Sequence, residues 1–188
     1  MSIPAQSFHV ITYGCQMNDA DSDHVAGMLE KLGLENSEAA DGADLVLVNT
    51  CCVRGGAEER SLARLASLRP WREASPHRRL VIMGCTAQKE GEALLGRLPH
   101  ADLVVGTRDI ADLPDLLAES YHRAGPRVAI GGIGNPAVPS LTATLPRGRV
   151  RALVNIMVGC DNTCSFCIVP QTRGAEVSRP VRAILDEI

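Results

Sequence analysis

A chain of 188 residues has room for one large domain, or for one domain and part of a second. Its hydrophobic content of 45% is enough for a packed core and excludes general disorder. A net charge of −3 neither demands nor excludes a nucleic-acid partner.

Aromatic residues make up only 3% of the chain, so the core has to come from Leu, Val, Ile and Ala. Of 19 basic residues only Lys31 and Lys89 are lysines. Arginine suits bidentate phosphate contacts, but a GC-rich coding bias, which the abundance of Ala also indicates, explains the skew more simply. No secretory leader pattern opens the sequence, and no apolar run approaches the ~18 residues of a membrane span. A soluble, cytoplasmic protein without membrane contact is expected. In that reducing compartment seven cysteines, an odd number, point to metal binding or redox chemistry rather than disulfides.

The first 122 residues repeat one phrase four times: an apolar β-rich run, a short polar loop and a helical pattern. SFHVITYG (7–14) leads into DADSDHVAGMLEKLG, where Val25, Met28, Leu29 and Leu32 fall on one helical face and Gly33 is a C-terminal stop. Asn18 and Asp19 read as the helix N-cap. ADLVLVNT (43–50) precedes a helix over 57–69 that Pro70 should stop. RRLVIMG (78–84) precedes a helix over 87–97. ADLVVG (101–106) precedes a helix that starts near Pro114. Asp44 and Asp102, just before strands, read as turn residues. The strands are continuous apolar runs, the mark of burial on both faces. The fold class is therefore α/β: an N-terminal doubly wound parallel sheet with helices on both faces.

Residues 123–149 are rich in Gly and Pro without periodicity and read as an interdomain linker. VRALVNIMVG (150–159) reads as a new strand, GCDNTCSFCIVPQTRG (159–174) as a loop, and SRPVRAILDEI as a helix with Ser178 at its N-cap. Strand, loop and helix form one βα unit, which cannot bury its own apolar faces. Residues 150–188 are accordingly expected to be the truncated start of a second domain.

Cys15, Cys51 and Cys85 each follow one of the first three strands. In open α/β sheets ligands bind beyond the carboxyl ends of the strands, at the switch point. A strand order 2-1-3-4 would make these three strands neighbours, about 4.8 Å apart. One such cysteine alone is ordinarily a small buried residue; three in the same slot point to a ligand trio. Three thiolates with no histidine at ligand spacing suit an iron–sulfur cluster with one open iron, and zinc, which usually takes a fourth ligand, is the competitor. His9, His24, His77, His100 and His122 read as surface or satisfied core groups. Cys52 breaks the pattern and reads as structural, because adjacent side chains diverge.

In the later loop, Cys160, Cys164 and Cys167 have the spacing Cys-x3-Cys-x2-Cys, able to wrap three corners of a [4Fe–4S] cube. No fourth Cys or His follows to complete a zinc knuckle. This loop matches the radical S-adenosylmethionine (SAM) superfamily. Together TYGCQMN, NTCCVR…AEER, MGCTAQKEGE and GCDNTCSFCIVPQTRGAEVSRP resemble the radical SAM methylthiotransferases along almost the whole chain, most of all their tRNA-modifying MiaB type. The pattern departs from the family at Cys52, more usually Ser or Ala, and at Gln171, often Tyr.

The resemblance implies an auxiliary [4Fe–4S] cluster on Cys15, Cys51 and Cys85 in a methylthiotransferase domain over 1–122. It implies a SAM-binding [4Fe–4S] cluster on Cys160, Cys164 and Cys167, with Phe166 against the SAM adenine or shielding the cluster. The implied reaction cleaves SAM to a radical that activates carbon 2 of N6-isopentenyladenosine at position 37 of a tRNA anticodon loop, where a methylthio group is inserted. Loop bases can be splayed out for such chemistry. An electron donor of flavodoxin or ferredoxin type and a monomeric enzyme are part of the same expectation. Arg173 and Arg179 could meet phosphate or the SAM carboxylate, or be solvated. Two other readings stand beside this one: the sister methylthiotransferase acting on a ribosomal-protein aspartate, and a non-catalytic iron–sulfur or zinc module. A complete (β/α)₈ barrel takes roughly 250 residues, so the 188-residue chain is expected to be inactive alone.

Overall fold

The computed structural model describes residues 3–131, 153–186 and 188. The chain order is β1 (Ser7–Thr12), α1 (Gln16–Lys31), β2 (Glu35–Asn36), β3 (Leu45–Thr50), α2 (Gly55–Ser67) and α3 (Arg69–Glu73). It continues with β4 (Arg79–Gly84), α4 (Cys85–Glu90), α5 (Ala93–Arg97), β5 (Leu103–Val105), α6 (Leu113–His122) and β6 (Arg127–Ala129). The later part holds β7 (Met157–Val158), α7 (Val169–Arg173), β8 (Val177–Ser178) and α8 (Val181–Leu185).

Six strands form one parallel sheet in the order β2-β1-β3-β4-β5-β6. Alternation along each strand divides the core between two faces. Phe8, Leu45, Leu47, Val81, Met83 and Leu103 face α1 and α6, where Val25, Leu29, Leu113 and Leu117 meet them. Val46, Val48, Leu80, Ile82 and Val104 face the opposite helices through Leu65, Trp71, Ala87 and Leu94. Burial on both faces is what made the strand sequences continuously apolar.

The four expected strands stand in sequential order rather than 2-1-3-4. The reversal comes from β2, whose two exposed residues carry no apolar pattern and gave no strand signal. It takes the place beside β1, so the chain passes back across β1 to begin β3 and then runs outward in the other direction. The switch point therefore lies between β1 and β3. On the far side β6 adds a sixth strand inside the stretch expected to be linker; residues 132–149 of that stretch lie outside the described residues.

Local signals were also reassigned. Pro70 does not end a helix: it sits in the first turn of α3, where its missing N–H costs nothing. The helix expected over 87–97 is two short helices meeting at Gly91. Helix α1 begins three residues earlier than Asn18 and Asp19 suggested, with Cys15 at the N-cap. In the later segment β7 and β8 pair antiparallel, so Ser178 is a strand residue and Pro180 stands at the N-cap of α8. Of the strand expected over 150–159, residues 157–158 are extended and paired among those described. The ribbon closes the cysteine loop at its base: Cys160 N donates to Gly174 O at 3.0 Å and Arg179 N to Ile156 O at 2.9 Å. Among the described residues no helix is long and apolar enough to cross a membrane.

Candidate metal centre

The C-terminal ends of β1, β3 and β4 lie side by side. Thr12 is in register with Asn49, and Thr50 with Gly84. Cys51 and Cys85 are the first residues beyond their strands, and Cys15 is the third beyond β1. Two glycines allow the chains to pass this closely. Gly14 has φ +132°, and a Cβ there would stand 2.6 Å from both Cys51 Cβ and Asn18 Oδ1. Gly84 has φ +97°, and a side chain would strike Asn49 Oδ1 and Thr50 O.

Beneath the cysteines lies a web of buried amides and hydroxyls. Asn18 Nδ2 donates to Asn49 Oδ1 at 2.8 Å and to Thr50 O at 3.1 Å. Asn49 Nδ2 donates to Asn18 O at 2.9 Å and to Ser22 Oγ at 3.0 Å. Thr12 Oγ1 donates to Ser22 Oγ, also at 2.8 Å, and Thr50 Oγ1 to Met83 O at 2.7 Å. Asn18 Oδ1 in turn accepts from the Cys15 backbone N–H at 3.4 Å and from its thiol at 3.5 Å. A buried polar network with its members paired is rigid. It fixes the floor on which the three strand ends stand.

Cys51 and Cys85 are buried, while Cys15 and Cys52 are half-buried. Sequence reasoning set Cys52 aside because its side chain must diverge from that of Cys51. It does diverge, and in doing so it meets Cys85. The Cys52 thiol donates to the Cys85 sulfur; this hydrogen bond, opposed by burial and helped by the Arg173 guanidinium, draws the Cys85 thiol down to about 6. Cys52, as the donor in that bond and itself partly buried, is pushed far above the usual thiol range. A thiol that ionises near neutral pH is in the form that binds soft metals.

A second group reaches this sheet end from the later segment. Thr107 Oγ1 donates to Thr172 O, and the next residue, Arg173, enters the interior. Its Nη2 lies 2.6 Å from Asp21 Oδ2 and its Nη1 3.4 Å from Asp21 Oδ1. The two side chains are only 7% and 8% exposed. Burial pushes the Asp21 carboxyl up while the guanidinium facing it pulls it back down. Burial likewise opposes the charge on Arg173, but Asp21 and Cys85 more than offset it, so the guanidinium stays protonated. Neither Arg173 nor Arg179 is solvated: Arg179 is buried, with Nη1 donating to Asn155 O at 2.6 Å.

In the loop Cys160 and Cys167 are half-buried and Cys164 is exposed. Cys167 N donates to Cys164 O at 3.0 Å, and Asn162 Nδ2 to the Cys160 sulfur at 3.3 Å. Phe166 is 90% exposed. Among the described residues no three His, Cys, Asp or Glu side chains converge as a ready-made metal set. What the fold does supply is a common sheet end for Cys15, Cys51 and Cys85, and a closed loop for the other three. All six are free thiols, the donor type that iron–sulfur clusters take.

The remaining candidates have structural roles. Asp102 grips Arg72 at 2.5 and 2.6 Å and accepts from Leu80 N, more than a turn residue does. Asp44 accepts from Gln6 N and Ser7 N at the start of β1. His9 and His100 bond backbone carbonyls. His24 differs from the expectation of a satisfied core group: it is buried and its Nδ1 has no partner.

A family profile described as "Uncharacterized protein family UPF0004" matches residues 7–106, from the first residue of β1 to the residue after β5. A protein named tRNA-2-methylthio-N(6)-dimethylallyladenosine synthase from Desulfotalea psychrophila is 40% identical over 187 residues, covering 97% of this chain and 42% of its own length. Proteins of the same name from Mycobacterium bovis and Mycobacterium sp. (strain MCS) are 42% and 41% identical over 98% of this chain, which spans 36% and 35% of them. The profile covers more than half of the residues and the entire stretch carrying Cys15, Cys51 and Cys85, and the chain belongs to the uncharacterized protein family UPF0004.

Proposed function

We propose that this chain is the N-terminal part of a radical SAM methylthiotransferase that inserts a methylthio group at carbon 2 of N6-isopentenyladenosine, beside the anticodon of a tRNA. The observation that carries the reading is the meeting of Cys15, Cys51 and Cys85 at the ends of adjacent parallel strands, flanking the switch point, with the Cys160–Cys167 loop tethered to the same end through Arg173. The names of the relatives favour a tRNA substrate over a ribosomal-protein aspartate.

In this reading Cys15, Cys51 and Cys85 hold an auxiliary [4Fe–4S] cluster, and Cys160, Cys164 and Cys167 hold the one that binds SAM. When bound, these groups supply the one-electron and sulfur-transfer chemistry that acid–base side chains cannot. The chain's own residues do the positioning. Gly14 and Gly84 let three strand ends crowd together, the Asn18–Asn49 web holds them level, and the β7–β8 ribbon presents the loop. Final convergence of the sulfurs accompanies binding, as in many sites whose metal completes the fold. Phe166, exposed beside Cys167, is left to cover SAM or the cluster.

Anaerobic reconstitution with iron and sulfide tests the metal assignment. Two clusters, about eight irons per chain, are expected. Replacing Cys15, Cys51 and Cys85 by Ala removes one cluster, and replacing Cys160, Cys164 and Cys167 removes the other. A colourless protein carrying zinc overturns the assignment. With isopentenylated tRNA, SAM and a flavodoxin- or ferredoxin-type reductant, the full gene product forms the methylthio nucleoside; this 188-residue chain alone does not.

A further inference from the structure

Arg173 is joined to the strand-end site from 152 residues away in sequence. A buried guanidinium needs its charge compensated and its donors engaged. Asp21, on the helix that Cys15 caps, takes one edge of the fork at 2.6 and 3.4 Å. A further donor bonds the sulfur of Cys85. The backbone on either side is pinned as well: Thr107, just beyond β5, holds Thr172 O, and Cys160 N holds Gly174 O. So the residue that leaves the cysteine loop is fixed to the sulfur of a strand-end cysteine by its side chain and to the first loop cysteine by its neighbour. A structural ion pair with Asp21 would not need the third contact. A cationic donor on a metal-bound sulfur withdraws electron density and favours the reduced state.

We propose that Arg173 is a positioning residue for the strand-end centre, donating to the Cys85 sulfur from the loop segment and raising the reduction potential of a cluster bound to Cys15, Cys51 and Cys85. The inference rests on the cluster reading given above. It makes the loop segment a contributor to the electronic state of the strand-end centre.

The test uses the 188-residue chain with Cys160, Cys164 and Cys167 replaced by Ala, so that only the strand-end cluster binds. It is reconstituted anaerobically with ferrous iron and sulfide and titrated potentiometrically with EPR detection. Arg173→Gln is expected to shift the midpoint potential to a lower value, and Arg173→Lys, which keeps the charge but not the fork, to recover part of the shift. The double variant Arg173→Gln/Asp21→Asn removes both charges without stranding either. It gives a smaller shift of the same sign and serves if the single variant does not fold. A residue that only braced the structure would alter cluster yield or thermal stability and leave the potential alone. An unchanged potential in a folded, cluster-loaded variant overturns the proposal. Failure of the parent chain to take up iron overturns this inference together with the cluster reading on which it stands.

Discussion

At the scale of single residues, chemistry at the sheet end depends on what is missing as much as on what is present. Gly84 holds φ +97° with Asn49 and Thr50 packed where a side chain would go. Gly84→Ala is therefore expected to cost about 3 kcal/mol or more, from backbone strain and collision together. A urea midpoint within experimental error of the parent would contradict that. His24 makes a pH-dependent contribution. Burial, reinforced by the charges of Lys31 and Arg179, takes its pKa from 6.5 down to about 4 in the folded chain. Between those values the unfolded chain binds the extra proton, so stability is full above the upper value and falls as pH drops toward the lower one. The loss is on the order of 3 kcal/mol at most. The fall in urea midpoint from neutral to mildly acidic pH should be smaller in His24→Gln than in the parent; equal slopes would assign the acid sensitivity elsewhere. Neither feature was legible in the sequence. A glycine after an apolar run reads simply as a strand end, and nothing local shows which histidine loses its partners.

At the scale of elements, continuous apolar runs predict buried parallel strands well, and the four longest were found where those runs lie. The same logic overlooks short edge strands. β2 is two exposed residues, recruited by pairing with β1 rather than by any pattern of its own. β6 escaped because a strand of three half-buried residues beside a Gly/Pro-rich stretch looks like its continuation. Proline and serine signals also changed meaning with context. Pro70 opens a helix instead of closing one, and Ser178 pairs in a ribbon instead of capping. Central strands carry the stability. Leu47 on β3 is fully buried in the core shared with α1 and α6, so Leu47→Ala is expected to cost about 3 kcal/mol. Chemical denaturation measures this, and a change under about 1 kcal/mol would mean that the site collapses around the lost volume.

At the scale of the whole molecule, the Asp21–Arg173 pair ties the later segment to the sheet. Removing one partner of a buried pair leaves the other's charge stranded, a far larger penalty than the pair's own contribution. In Asp21→Ala the cheapest relief is for Arg173 to leave the interior. Trypsin is then expected to cut after Arg173 in the variant and to spare that bond in the parent. Protection in both would show that contacts other than the ion pair hold the segment down.

Local chemistry alone was enough to read the α/β class, the parallel sheet and the spacing of two sets of three cysteines, because burial on both faces and ligand spacing leave marks within a few residues. Only the tertiary structure decided which groups meet: Cys52 turning to Cys85, Asn18 to Asn49, and Arg173 to both Asp21 and the Cys85 sulfur. Such contacts join residues 31 to 152 positions apart. No periodicity spans that distance; sheet register and the close passes at two glycines bring them together.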